Sequence, residues 1–301
     1  MTRDPTQRGS TRGVGSPMMG FLFVLPAFGL FCLFGIWPVI RSFVLSLHEW
    51  PGIGGMSWRG LQNYVQAFGD PVVRLSFLNN AVYSIGIILF GVVPGLVLSI
   101  LLVATMRGRL LFQTIFFFPR LVTQVIVALV WSWIYNPVFG LLNNFLRAVG
   151  LGSLALGWLG DPTWAMWAVI VAAGWTYFGF CMVIFMAALQ NTDPFLYDAA
   201  LIDGANGVQI FWNVTLPQIQ HVLTMVIVFT LIDSFKVFDI IYLMTSGGPG
   251  DKTQIMATFI YREAFRHNHY GYSAAVSILL TVFILAVSVI ILRLRERSAE
   301  T

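Results

Sequence analysis

Six long stretches of this chain contain no Asp, Glu, Lys or Arg: residues 13–40, 75–106, 121–146, 162–192, 204–232 and 267–292. Each exceeds the roughly 20 residues that a helix rising 1.5 Å per residue needs to cross about 30 Å of hydrocarbon. A soluble fold cannot hide them. Charged residues make up only 10% of the 301, and hydrophobic ones 57%, with a mean hydropathy of +0.80. That is too little polar surface for water, so the solvent for most of this chain is lipid. A barrel would need alternating strands of about ten residues. Continuous runs such as Ile87-Ile88-Leu89-Phe90 and Val282-Phe283-Ile284-Leu285 point to helices. The expectation is an all-α, polytopic membrane protein with six transmembrane helices.

Allowing for polar ends, the spans are placed near 20–42, 80–104, 112–135, 164–188, 217–239 and 272–292. The third takes in Arg120, because Leu110 to Phe118 is too apolar to leave in water. Phe21 to Ile40 is longer than the roughly 7–15 apolar residues of a signal peptide, so the first window reads as a retained span. An even number of spans puts both tails, 1–19 and 293–301, on one side. That side carries Arg3, Arg8, Arg12, Arg107, Arg109, Arg293, Arg295 and Arg297 in short segments. The other carries Arg41, Arg59, Arg74, Arg147, Lys252, Arg262 and Arg266 over longer loops, beginning with an outer loop at 43–79. Density of positive charge therefore assigns both termini to the cytoplasm. Trp50, Trp58, Trp131, Trp133, Trp158, Trp164 and Trp167 fall near the outer interface, where an aromatic belt is expected.

The segment 192–217 breaks the charge rule of its side, with three acids and no Lys or Arg. It reads as two short helices. Asp193 can cap the first with Pro194 in its first turn, Gly204 can turn the chain at its C-terminus, and Pro217 marks the start of the next span. Asp198-Ala199-Ala200, Gly204, Val214 and Leu216-Pro217 match the spacing of the EAA loop. The chain thus resembles the inner-membrane permease subunits of ABC importers, with Asp198 and Val214 standing where that family has Glu and Ile. Further matches resemble the carbohydrate-uptake group, of the type of the first permease of maltose transporters. They include Trp58, Gly60-Leu61, Asn63-Tyr64, Asn136-Pro137, Trp158-Leu159 and Phe238-Asp239-Ile240-Ile241-Tyr242. Thr245, Gly247-Gly248-Pro249 and Thr253 complete the outer-loop signature.

The resemblance implies a permease core over 80–292. In it, Asp198, Ala199, Ala200, Asp203, Gly204, Ala205, Phe211, Leu216 and Pro217 form the coupling surface for an ATPase subunit. It also implies a second permease subunit as a heterodimer partner, two ATPase subunits and an extracytoplasmic solute-binding protein. The setting it implies is a bacterial inner membrane, and the cargo a mono-, di- or oligosaccharide. ATP and Mg would be bound by the partner ATPases, leaving this chain without cofactor, metal or catalytic residue. Glycerol 3-phosphate or a polyol carried by the same machinery is the alternative cargo. A self-contained secondary transporter or channel is the alternative of another class, although no internal repeat supports it.

Candidate residues for the substrate path each have a plainer reading. Arg120, with Gln124 four residues on and on the same face, is a donor to sugar hydroxyls, half of a gate ion pair, or an arginine snorkelling to headgroups. Asp233, Lys236 and Asp239 recur every three residues, as an ion-pair ladder, as partners of Arg120, or as a helix end reaching water; the last is preferred. Trp175, Tyr177 and Phe178 sit too deep for the aromatic belt, so they either face sugar rings or, more commonly, pack between helices. Gly247 to Thr253 is not a phosphate loop, because Asp251 separates Gly250 from Lys252. Cys32, Cys181 and the histidines His48, His221, His267 and His269 show no metal-ligand spacing on one helix.

Overall fold

The computed structural model describes residues 17–103 and 108–299, apart from the side chains of 17–20, 292 and 294–299. Arg3, Arg8, Arg12 and Arg107 lie outside the described residues, as do the side chains of Arg295 and Arg297. In chain order, α1 spans Phe21–Ser46, α2 Gln62–Gly69, α3 Pro71–Val103, α4 Arg109–Leu121 and α5 Gln124–Ile134. Then come α6 (Leu141–Ala148), α7 (Ala165–Leu189), α8 (Pro194–Ile202), α9 (Gly207–Lys236), α10 (Asp239–Met244), α11 (Met256–Phe265) and α12 (Tyr270–Ala299). Between α1 and α2 a short antiparallel pair, β1 (His48–Glu49) and β2 (Ser57–Trp58), sets His48 against Trp58.

Five of these helices are long and apolar enough to cross a membrane: α1, α3, α7, α9 and the Tyr270–Ile291 part of α12. The third expected span is not one helix. α4 and α5 meet at 97°. Pro119 has no N–H to close on the carbonyl four residues back, and the chain becomes extended at Val122 (ψ 136°) and Thr123 (ψ 145°) before a new helix starts. The bent pair nevertheless makes a single crossing, because its contacts climb one side of α7 in order. Gln113 donates to Met186 Sδ, the Phe116 ring meets Phe178, Gln124 reaches Thr176, and the Tyr135 hydroxyl donates to the Ala168 carbonyl. The helix between Met186 and Ala168 rises about 27 Å. A re-entrant loop would turn back partway; this pair travels the length of its neighbour.

Two other spans begin well before their expected starts, and the fifth ends at Lys236 instead of 239. Helix begins earlier than charge alone suggests, at Pro71 instead of 80 for the second span and at Gly207 instead of 217 for the fifth. Three helices pass through a π-helical turn, at Cys32–Ile36, Ile88–Val92 and Phe211–Thr215. Each turn is followed, two residues on, by a proline: Pro38, Pro94 and Pro217. The wider turn lets a residue without an N–H sit inside a continuing helix, which is how these spans carry proline without breaking.

α7 is the axis of the bundle, two-thirds buried in its most apolar window, whereas that of α1 is not buried at all. Small residues make this possible. A Cβ on Gly95 of α3 would meet the Cys181 side chain and the Phe178 carbonyl, and one on Gly179 would collide with the Phe116 carbonyl of α4. With no water to drive association between lipid-facing helices, such close backbone approach supplies the packing.

Candidate functional site

A cavity of about 430 Å³ opens beside α7, lined by side chains from α3, α4, α5, α7, α9 and α10. Its walls include Tyr83, Arg120, Gln124, Thr176, Tyr177 and Phe238, together with Asp233, Lys236 and Asp239. Two helix breaks meet here. Arg120 stands in the last turn of α4 and Gln124 opens α5, while Lys236 ends α9 and Asp239 opens α10. Val237 (ψ 137°) and Phe238 carry the second break, and α10 packs against α5, so the segments after both breaks support each other. Irregular backbone at membrane depth is tolerated where it lines a cavity or is buried in protein.

The Arg120 guanidinium lies over the rings of Phe180 (4.9 Å) and Tyr177 (5.6 Å), so two aromatic faces hold it toward the cavity. Tyr177 donates its hydroxyl to Thr230 Oγ1 at 3.0 Å, because Thr230 spends its own proton on the Val226 carbonyl. None of Arg120, Asp233, Lys236 and Asp239 forms an ion pair with another described residue. Neither the alternative ladder along α9 nor the alternative pairing with Arg120 is formed among the described residues. The four charges stand separately around one space and sum to zero. Beyond the lining Tyr242 stacks on Phe238, and the neighbouring Arg266 guanidinium lowers its phenol below the ordinary value.

Five expected path residues, Arg120, Gln124, Tyr177, Asp233 and Lys236, line this cavity, and Trp175 and Phe178 do not. Trp175 packs on Trp131, and Phe178 on Phe116. Adjacent helical residues are 100° apart, so three near-consecutive aromatics cannot share one face. Thr176, Tyr83, Ser234 and Phe238 join the lining without having been expected there.

Asn80 was also missed. Fully buried in α3, it donates to the Ser234 carbonyl in the last turn of α9 and accepts from the Met256 N–H at the start of α11. Its neighbour Asn79 donates to the carbonyls of Asp251 and Gln254. Together they tie the α9 break to the outer-loop signature. Two consecutive amides inside a charge-free window were the available signal, since an unsatisfied amide in lipid costs several kcal/mol.

The signature residues build a tight loop and not a ligand cradle. Thr245 and Thr253 share a hydroxyl hydrogen bond of 2.7 Å, Thr253 donates to the Gly248 carbonyl, and Thr253 is fully buried. Gly247 has φ +89°, and a Cβ there would strike the Gln254 side chain. Pro249 follows within the same turn.

At the opposite end, α8 takes the form its sequence suggests. Asp193 Oδ1 accepts from the Phe195 N–H, Pro194 opens the helix, and Gly204 turns it at φ +76°. The Ala205 N–H closes back on the Ala200 carbonyl and the Gly204 N–H on Leu201, a C-cap that satisfies the last carbonyls. Asp198, Ala199 and Asp203 are exposed, Ala200, Ala205, Phe211 and Leu216 half-buried, and Pro217 exposed. Phe195, Leu201, Ile202, Val208 and Trp212 also expose large apolar surfaces. Gln218 of α9 accepts from the Asp193 N–H, fastening the segment to the fifth span. Residues 207–217 are helical throughout, so α8 is the one separate helix of the loop.

Residues 67–299 match the sequence pattern of the family described as binding-protein-dependent transport system inner membrane component. The chain is 34% identical to the probable ABC transporter permease protein YurN of Bacillus subtilis (strain 168), over 93% of this chain and 97% of that protein. It is 32% identical to the trehalose/maltose transport system permease protein MalF of Thermococcus litoralis, over 91% and 92%. Its fold superposes with a TM-score of 0.80 on a chain of a bacterial ABC transporter involved in import of the acidic polysaccharide alginate. There the identity is 25%, covering 93% of this chain and 96% of that one.

Proposed function

Since the chain belongs to the binding-protein-dependent transport system inner membrane component family, and is a permease subunit of an ABC transporter, we propose that it carries a neutral sugar. The cavity between the two helix breaks forms half of the path. Its charge balance is the observation that supports this cargo. Arg120 and Lys236 are offset by Asp233 and Asp239, which suits a polyhydroxylated neutral ligand offered donors and acceptors together. Glycerol 3-phosphate would want a net cationic site. At about 430 Å³ the cavity falls within the roughly 300–1,000 Å³ of small-molecule sites. Tyr83, Tyr177 and Phe238 add flat apolar faces to it.

On this reading a second permease, a different chain, closes the open side of the cavity, and an extracytoplasmic solute-binding protein delivers the sugar. Two partner ATPases hold ATP and Mg, and one docks on α8, which is why that short helix exposes Phe195, Leu201 and Ile202. The α8 end is cytoplasmic, as are both termini. This chain itself binds no nucleotide.

The test is ATP-dependent uptake by the purified assembly in proteoliposomes with its binding protein. Neutral oligosaccharides and glycerol 3-phosphate are offered in parallel. The expected result is accumulation of a neutral sugar and none of the phosphate ester. Accumulation of glycerol 3-phosphate alone refutes the cargo, and accumulation without any ATPase subunit refutes the mechanism.

A further inference from the structure

Away from the cavity and α8, one further cluster of metal-ligating side chains forms among the described residues. Where α11 gives way to α12, Glu263, His267 and His269 bring ligand atoms within 4.8 Å of one another. His267 Nδ1 lies 2.9 Å from Glu263 Oε1, and His269 Nδ1 lies 2.9 Å from Oε2. We propose that these three residues form a binding site for a borderline divalent transition metal, best fitted to zinc, at the end of the bundle opposite α8.

The donor set selects the class of ion. Two imidazoles and one carboxylate suit Zn, Co or Ni, whereas Mg and Ca take oxygen ligands almost exclusively. Two ligands each about 2.0–2.2 Å from a tetrahedral zinc ion stand roughly 3.3–3.6 Å apart. The two 2.9 Å imidazole–carboxylate spacings fall a few tenths of an ångström short of that range, so an ion can replace the two shared protons once the rings swing outward by a small amount. The rings are free to make them, since the His267 and His269 side chains are 48% and 61% exposed while that of Glu263 is only 10% exposed.

The backbone holds the ligands in place before any ion arrives. The His267 N–H bonds the Arg262 carbonyl, the His269 N–H bonds the Glu263 carbonyl, and Asn268 turns the chain at φ +58°. The His269 carbonyl then accepts from the Ser273 N–H in the first turn of α12. Ordering these residues around a metal therefore costs little. Access is also present, because Asn268 and His269 line a cavity of about 300 Å³ between the β1–β2 pair and α12. Three protein ligands leave a fourth position for water.

Arg262 is the counter-argument, with Nε 4.0 Å from Glu263 Oε1. Its other arm pairs with Asp251, however, so Arg262, Asp251 and Glu263 together carry one net negative charge. A bound ion would staple α11 to α12 across the turn. Without one, the two histidines are merely hydrogen-bonded to a buried carboxylate, and the experiment separates the two states.

The full chain, purified without a polyhistidine tag and stripped with chelator, is titrated with Zn²⁺ against a competing fluorescent chelator. One equivalent per chain at a Kd of about 1 μM or tighter is expected. The His267→Ala/His269→Ala double variant removes two exposed rings and should weaken that affinity more than about 100-fold, beyond the cost of losing a ligand-orienting partner. Equal affinity in the double variant, or no stoichiometric binding by the parent chain, overturns the site. Should the variant fail to fold, Co²⁺ bound to the parent chain decides. Intense visible bands of a four-coordinate N/O site support the proposal, and a faint six-coordinate spectrum overturns it.

Discussion

Gly204 offers a graded test of the coupling reading, because the structure isolates a single energetic term there. Its φ is +76°, and a Cβ built on it meets nothing within 4 Å. Substitution therefore costs backbone strain and no packing. An L-residue held in the left-handed region loses roughly 1–2 kcal/mol relative to glycine, with asparagine losing less because its short amide tolerates that conformation. The strain falls on the cap that brings the Ala205 N–H to the Ala200 carbonyl, so it shifts the end of α8 away from its present shape. If the ATPase binds that shape, the population shift is paid again as affinity. One to two kcal/mol corresponds to a factor of about 5–30.

Gly204→Ala should then weaken ATPase binding by about 5–30-fold, Gly204→Asn by less, and Gly204→Val by at least as much as alanine, since branching at Cβ adds strain. Affinity is read by titrating solubilised permease assembly with fluorescent ATPase subunit, and membrane insertion by the yield of monodisperse protein. Normal yield with the order Gly, Asn, Ala, Val supports the reasoning. Alanine binding as tightly as glycine at normal yield refutes it, because then the left-handed turn is not what the partner recognises.

Two further substitutions probe the cavity and its support. Asn80→Leu leaves the buried Ser234 carbonyl and Met256 N–H unpaired, at about 1–3 kcal/mol each, and should lower the apparent unfolding temperature of the assembly in a thermal-shift assay. An unchanged midpoint would mean that Asn80 does not hold the α9 break. Arg120→Lys keeps the charge but loses the planar stacking on Phe180 and Tyr177, worth about 0.5–2 kcal/mol. It should raise the half-saturating sugar concentration for uptake, and kinetics identical to the parent protein would remove Arg120 from the path.

The crossings were legible because the length of an apolar run is a local property, and the α8 caps were legible because Asp193, Pro194 and Gly204 act within a few residues of themselves. The break in the third span was only half legible. Pro119 signals trouble, but the chain leaves the helix three residues later, where α5 can turn against α10. Which residues share the cavity was not legible, since Arg120 and Lys236 meet only through the packing of α4 and α9 around α7. Trp175 and Tyr177 differ by two residues in sequence and by 200° around one helix, a distinction that needs the neighbours to be known. The Glu263, His267 and His269 cluster escaped for a related reason. Glu263 and His267 stand four residues apart, but the third ligand, His269, is brought in by a turn at Asn268 and not by helical periodicity.

The two breaks also distribute the mechanical roles among the helices. α7 is uninterrupted, central and the most buried of the candidate spans, so it is the poorest candidate to deform. α9 runs without a break from Gly207, beside α8, to Lys236 at the cavity, 30 residues that extend about 45 Å. About a third of the way along it Gln218 is fastened to Asp193, and at its tip the chain bends at Val237 and Phe238. On the proposed coupling reading, a push on α8 would enter one continuous lever whose far end carries Asp233 and Lys236. Those charges would then move relative to Arg120, which sits on the other broken span against α7. Had α9 been broken at mid-depth and ended smoothly at the cavity, displacement would dissipate before reaching the charges. The break lies where the lever ends, so on this reading motion at one membrane face would change the shape of the polar site and leave the central packing intact.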